Sequence, residues 1–151
     1  MTIEFIWKWG SFALATAACA AAVLWGGWAA RRIGATFWIA WVASLLLASN
    51  GPKGPGDQIL LIDTIVLFIF VAIALKARHI WVLLTVASQL DDVASHVAQR
   101  LLHFGVYSYM TATSIWGGQF ITFCLIAGTI GYRLRLKRHA LATATRSPAA
   151  P

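Results

Sequence analysis

Of the chain's 151 residues, 60% are hydrophobic and 11% are charged, and the formal net charge is +7. Soluble domains are about 25% charged, so this composition, with a mean hydropathy of +0.74, excludes an ordinary soluble globular protein and indicates an integral membrane one. The basic excess does not indicate nucleic-acid binding, because most lysines and arginines punctuate apolar runs, which is a topology signal.

The first apolar run spans residues 10–30 and is closed by Arg31 and Arg32, and the second spans 33–49. Runs of about 17 to 25 residues suffice to cross a hydrocarbon core roughly 30 Å thick. The small residues of ATAACA would suit a signal-peptide cleavage site, but Glu4 opposes Lys8 in a weak n-region, so an uncleaved helix is expected. NGPKGPGD, residues 50–57, breaks the pattern with prolines and glycines and must turn outside the hydrocarbon. A third run, 58–75, ends at KARH, and a more polar segment, 79–104, follows. The last run, 107–132, leads into RLRLKRH and an Ala/Thr/Ser/Pro tail, 140–151, expected to be disordered. Residues 1–139 thus read as one transmembrane domain.

Charge placement decides whether 79–104 spans. With five spans and the N-terminus outside, Arg31, Arg32, Lys76, Arg78 and RLRLKRH all lie on the cytoplasmic side, while Lys53 lies outside. If that segment lay flat on the surface, the last helix would carry the densest basic cluster to the wrong face. The predicted fold is an all-α bundle of five transmembrane helices, N-terminus outside and C-terminus inside.

Helical geometry gives the polar segment a face. At about 100° per residue, Thr85, Ser88, Gln89, Asp92, His96, Gln99, Arg100 and His103 fall on one arc about 120° wide. Ile80, Leu83, Leu84, Val86, Leu90, Val93, Val97 and Leu101 cover most of the remainder. A surface-lying amphipathic helix has the same pattern but usually carries lysines on its polar face. Acids, amides and histidines predict a stripe turned inward.

Ionisable residues inside a membrane are costly and are functional candidates by default. Asp63 is isolated in QILLIDTIVLFIFVAIAL, at a depth similar to that of His96 and Arg100. It is expected either to pair with Arg100 or His96 and tie two helices together, or to form an outward-opening proton or cation site with Asp92 and His96. The candidate intramembrane cluster is Asp63, Gln89, Asp92, His96, Gln99, Arg100, His103 and Gln119.

Other chemistry finds less support. His96 and His103 share one helix, while His79 and His139 flank spans on the cytoplasmic side, so no pair is placed to hold haem from two helices. Asp63, Asp92 and His96 would make a three-ligand zinc set, but the chain has no tight ligand motif. It also has no nucleophile in a recognisable setting and no glycine-rich phosphate loop, so no catalytic residue, metal or cofactor is assigned. Cys19 and Cys124 each lie mid-run and read as small hydrophobes.

Ala18, Ala22, Gly26 and Ala30 recur every four residues and predict a close-packing face on the first helix. Gly117, Gly118, Gly128 and Gly131 predict the same on the last. Trp7, Trp9, Trp81 and Tyr107 fall at span ends, where aromatic belts belong, and the deeper Trp38, Trp41 and Trp116 read as core packing.

ALKARHIW, the following QL, His96, Tyr107, Tyr109, Trp116 and LIAGT resemble small hypothetical inner-membrane proteins of proteobacteria, over about the second half of the chain. The resemblance implies a bacterial inner-membrane location and no particular activity. The residues themselves favour a non-enzymatic membrane subunit whose partners are the lipid bilayer and a second copy or another membrane protein. A proton or cation conductor using Asp63, Asp92 and His96 is the alternative, and a haem- or quinone-binding redox protein a further one. A holin-like role would fit the size but does not need the buried ionisable cluster.

Overall fold

The computed structural model describes residues 3–48, 57–102 and 111–146, which are helical apart from two short turns. α1 spans Ile3–Trp25, α2 Trp28–Ala48, α3 Asp57–Ala77 and α4 Ile80–Leu102. A π-helical segment, Ser114–Phe120, runs directly into α5, Ile121–Arg146. Among the described residues, three continuous helical stretches are long and apolar enough to cross a membrane: Trp28–Leu47, Asp57–Ala77 and Thr111–Thr143. This marks the chain as a membrane protein of the helical-bundle kind.

The first turn is not where charge placed it. α1 ends at Trp25 and α2 begins at Trp28, so the break falls at Gly26–Gly27, and Arg31 and Arg32 ride within α2, near its start. Glycine counts as apolar in a hydrophobic run, and this hid the break. A Cβ on Gly26 would stand 2.8 Å from Ala30 Cβ, and one on Gly27 would stand 3.0 Å from the Tyr132 ring. Arg31 Nε donates to Gly26 O at 3.0 Å, satisfying a carbonyl left free at the end of α1. The Arg32 guanidinium lies 5.7 Å above the Trp28 ring.

The small-residue face therefore bridges a hairpin instead of lining one helix. Ala18 and Ala22 belong to α1, Gly26 to the turn and Ala30 to α2, and all four are buried. Gly34 completes the contact: a Cβ there would lie 3.2 Å from Ala22 Cβ and 3.5 Å from Leu125 Cδ2, so α1, α2 and α5 meet at this level.

A second two-residue turn, Arg78–His79, joins α3 to α4. Arg78 adopts a left-handed backbone (φ 49°) and its N–H donates to Ala74 O at 3.1 Å, a helix-ending geometry in which glycine is more usual. Such short connections make each helix pair antiparallel neighbours. α1 packs on α2, α2 on α3, α3 on α4, α4 on α5 and α5 back on α1, closing a ring that α2 and α5 also contact across. Its core includes Ala22, Ile33, Phe37, Val66, Phe70, Val82, Ile121 and Leu125.

Several packing expectations change. α5 is helical through Arg146, so residues 140–146 of the expected tail continue this helix, and residues 147–151 lie outside the described residues. Trp81 is half-buried over Gly128, where a Cβ would fall 2.6 Å from the indole, and so serves the bundle instead of an interfacial belt. Trp41 packs on Phe37 and Phe12, with ring centroids at 5.3 and 6.1 Å. Trp38 and Trp116, read as core, are exposed, as is the belt candidate Trp9. Gly131 has nothing within 4 Å of its Cβ position and makes no close contact. Tyr107, the side chain of Trp7 and the 49–56 segment lie outside the described residues.

Candidate functional site

On α3, Asp63 shares a face with Val66, Phe70 and Ile73, at spacings of three and four residues, and this face turns toward the bundle. On α4, Val82, Thr85, Gln89, Asp92 and His96 follow the same spacing and are buried. The opposite side of α4, with Leu83, Leu84, Leu90, Val97 and Leu101, is exposed. Of the arc read from the sequence, Thr85, Ser88, Gln89, Asp92 and His96 thus turn inward against neighbouring helices, while Arg100 is exposed.

Each buried polar group on the arc has a distinct fate. Thr85 donates to Trp81 O within its own helix at 2.9 Å. Ser88 donates to the backbone carbonyl of Trp116 in the π segment. Gln89 Nε2 donates to Asp63 O on α3 at 3.3 Å. His96 Nε2 meets Asp63 Oδ2 at 3.0 Å, with both side chains largely buried. Asp92 is 6% exposed, and its Oδ1 has no hydrogen-bond donor among the described residues.

Asp63, Asp92 and His96 converge, their ligating atoms all lying within 4.8 Å of one another. The π segment forms the far wall. There a Cβ on Gly117 would fall within 2.6 Å of the Asp92 carboxylate, so only glycine lets the π segment approach this closely. π-helical turns are uncommon and are often found at functional sites.

Two residues assigned to the cluster go elsewhere. Arg100 pairs with Asp57 at 2.5 Å, and both side chains are substantially exposed, so His96 alone of the two expected partners meets Asp63. Gln119 donates to Ser11 on α1 at 2.6 Å and fastens the π segment to α1 instead of extending the cluster. Gln99 is half-buried, and His103 lies outside the described residues. His79 sits in the α3–α4 turn and His139 on the exposed extension of α5.

Sequence reasoning set aside the three-ligand set for want of a tight motif, although these residues come together across two helices. It also missed Gly117 as the residue that admits Asp92. The only signal for that role was the adjacent pair Gly117–Gly118 opposite the polar arc. Searches of protein families, curated proteins and solved structures match nothing to this chain.

Proposed function

We propose that the chain is a non-enzymatic multipass protein of the bacterial inner membrane that takes up a proton or cation at Asp63, Asp92 and His96. The observation that carries the reading is the orphaned Asp92 oxygen. An Asp63–His96 pair by itself would tie α3 to α4. A second buried carboxylate beside it adds cost without adding a bond, since ionisable groups inside a membrane cost about 2.5–3.5 kcal/mol even on insertion scales. Such a group is accounted for when something outside the chain, a proton or a cation, completes its coordination.

The reading takes α4 as a fourth of five spans, with the N-terminus outside. Its register against α3 supports this. Asp57 meets Arg100 and Asp63 meets His96, pairs placed symmetrically about the Arg78–His79 turn. α4 therefore retraces α3 along its length and shares its depth. The turns at 26–27 and 78–79 and the exposed RLRLKRH extension collect Arg31, Arg32, Lys76, Arg78, Arg133, Arg135, Lys137 and Arg138 at one end, the cytoplasmic one by the positive-inside rule.

The test is flux in liposomes reconstituted with the full chain, under an imposed pH gradient and then a metal-cation gradient. Wild type should conduct in at least one, and Asp92→Asn should remain folded while losing that flux. No flux from wild type under either gradient, or flux unaffected by both Asp92→Asn and Asp63→Asn, would overturn the proposal. A second reading, a subunit that docks another membrane protein, is favoured by a carboxylate outside the cluster, the exposed Asp91.

A further inference from the structure

Asp91 follows from the same helix but faces the other way. It lies eleven residues from either end of Ile80–Leu102 (91 − 80 and 102 − 91), or about 16 Å along the axis at about 1.5 Å per residue. Asp91 is exposed among Leu84, Leu90 and Val97, and its side chain has no hydrogen-bond or ion-pair partner among the described residues. The short aspartate side chain cannot reach an interface about 16 Å away, as a long lysine near a helix end can. In a spanning α4 this carboxylate sits in hydrocarbon.

The surface around it is shaped for close approach. The exposed or half-exposed positions one turn from Asp91 are Ala87, Ala94 and Ser95, with Ala98 a turn further on. Small side chains let a second helix come near enough for its side chain to meet the carboxylate.

A second copy of this chain is a poor occupant. Symmetric pairing of α4 helices would set one Asp91 against another. Among the described residues, no lysine or arginine lies at mid-depth: Arg31, Arg32, Lys76, Arg78, the Arg133–Arg138 cluster and Arg146 are at or beyond one end, Lys8 lies on the first turns of α1 toward the other, and Arg100 is engaged there with Asp57. Charge complementarity calls for a cation that this chain does not supply.

We propose that the α4 face centred on Asp91 docks a transmembrane helix of a different protein that carries a lysine or arginine near its midpoint. This rests on α4 crossing the bilayer, as in the functional reading above, but not on any flux through the Asp92 site. The probe is a synthetic leucine-rich transmembrane helix with one central lysine, and its control carries leucine there. Energy transfer between the labelled peptide and labelled full chain in phosphatidylcholine vesicles reads association.

The lysine peptide should associate at least tenfold more tightly than the control, and Asp91→Leu should abolish the difference while Asp92-dependent flux persists. Equal association of the two peptides, or a lysine preference that survives Asp91→Leu, would overturn the docking. Self-association of wild-type copies lost in Asp91→Leu, without a lysine preference, would reassign the face to a second copy. An Asp91→Cys variant, in a background with Cys19 and Cys124 replaced by serine, should resist a membrane-impermeant maleimide. Ready labelling from either side would place α4 at the surface and overturn both the docking and the five-span reading.

Discussion

One added methyl group at Gly117 should disable the acid–imidazole cluster from the far side of the bundle. A Cβ there would stand 2.5 Å from the Asp92 carboxyl carbon, whereas ordinary contact begins at 3.4 Å, so 3.4 − 2.5 = 0.9 Å of movement is required. Asp92 is buried, with 6% of its surface exposed. Overpacking of this kind typically costs about 1–3 kcal/mol. At about 2–4 °C per kcal/mol for a chain of this size, Gly117→Ala should lower the melting temperature of the purified protein by about 2–12 °C and reduce flux in liposomes. Gly131→Ala is the control, since nothing lies within 4 Å of that Cβ position. It should be neutral or stabilising by up to about 1 kcal/mol, the helix-propensity gain of alanine over glycine. Shortening Asp92 removes the clash, so Gly117→Ala should cost much less in an Asp92→Ala background than alone. A wild-type melting temperature for Gly117→Ala, or equal penalties at Gly117 and Gly131, would refute the reasoning.

Removing one member of the buried pair should hurt more than removing both. His96→Leu leaves Asp63 uncompensated at a typical cost of about 3–5 kcal/mol, and Asp63→Leu/His96→Leu should recover most of it in thermal unfolding. By contrast, Arg100→Ala breaks an exposed pair with Asp57 and should change stability by less than about 1 kcal/mol. Ala22→Leu, at a fully buried position where α1, α2 and α5 meet, should destabilise the fold strongly, while Ala17→Leu on the exposed side of α1 should be tolerated. Finally, a reporter fused after Arg138 should read cytoplasmic and one placed in residues 50–57 should read periplasmic. Both on the same side would rule out five spans.

The buried face of α4 was legible because its signal is angular. Side chains at 3.6-residue periodicity fall on fixed faces, and polar groups amid so much hydrocarbon have reason to turn inward. The partner of Asp63 was legible only as a choice of two. Depth along a helix places His96 and Arg100 within one turn of each other, and only the rotation of α3 against α4 gives the carboxylate to His96 and leaves Arg100 to Asp57. The turn at Gly26–Gly27 was hidden because hydropathy treats glycine as one more apolar residue, so charge was taken as the boundary. Nothing local foretold the contact of Gln119 with Ser11, 108 residues away in the chain, because it depends on how α5 faces α1. Asp91 and Asp92 look alike in sequence, yet about 100° of rotation puts one in the core and the other outside.

On the five-span reading, α4, which carries Asp91, Asp92 and Arg100, would enter the bilayer together with α3 and not alone. Its two-residue turn and end-to-end register bind it to α3, whose apolar residues dominate Asp57–Ala77. A hairpin of the two would bring His96 to Asp63 and Gln89 to the Asp63 carbonyl before α5 arrives. The π segment then covers Ser88 and Asp92, using Gly117 for clearance and the Trp116 carbonyl as acceptor. In this order, successive helices cover the polar groups of the inner arc. Among the described residues, Asp91 stays exposed on the outer side of α4. On the proposed reading the two adjacent aspartates would divide the work, Asp92 holding a proton or cation and Asp91 meeting a partner.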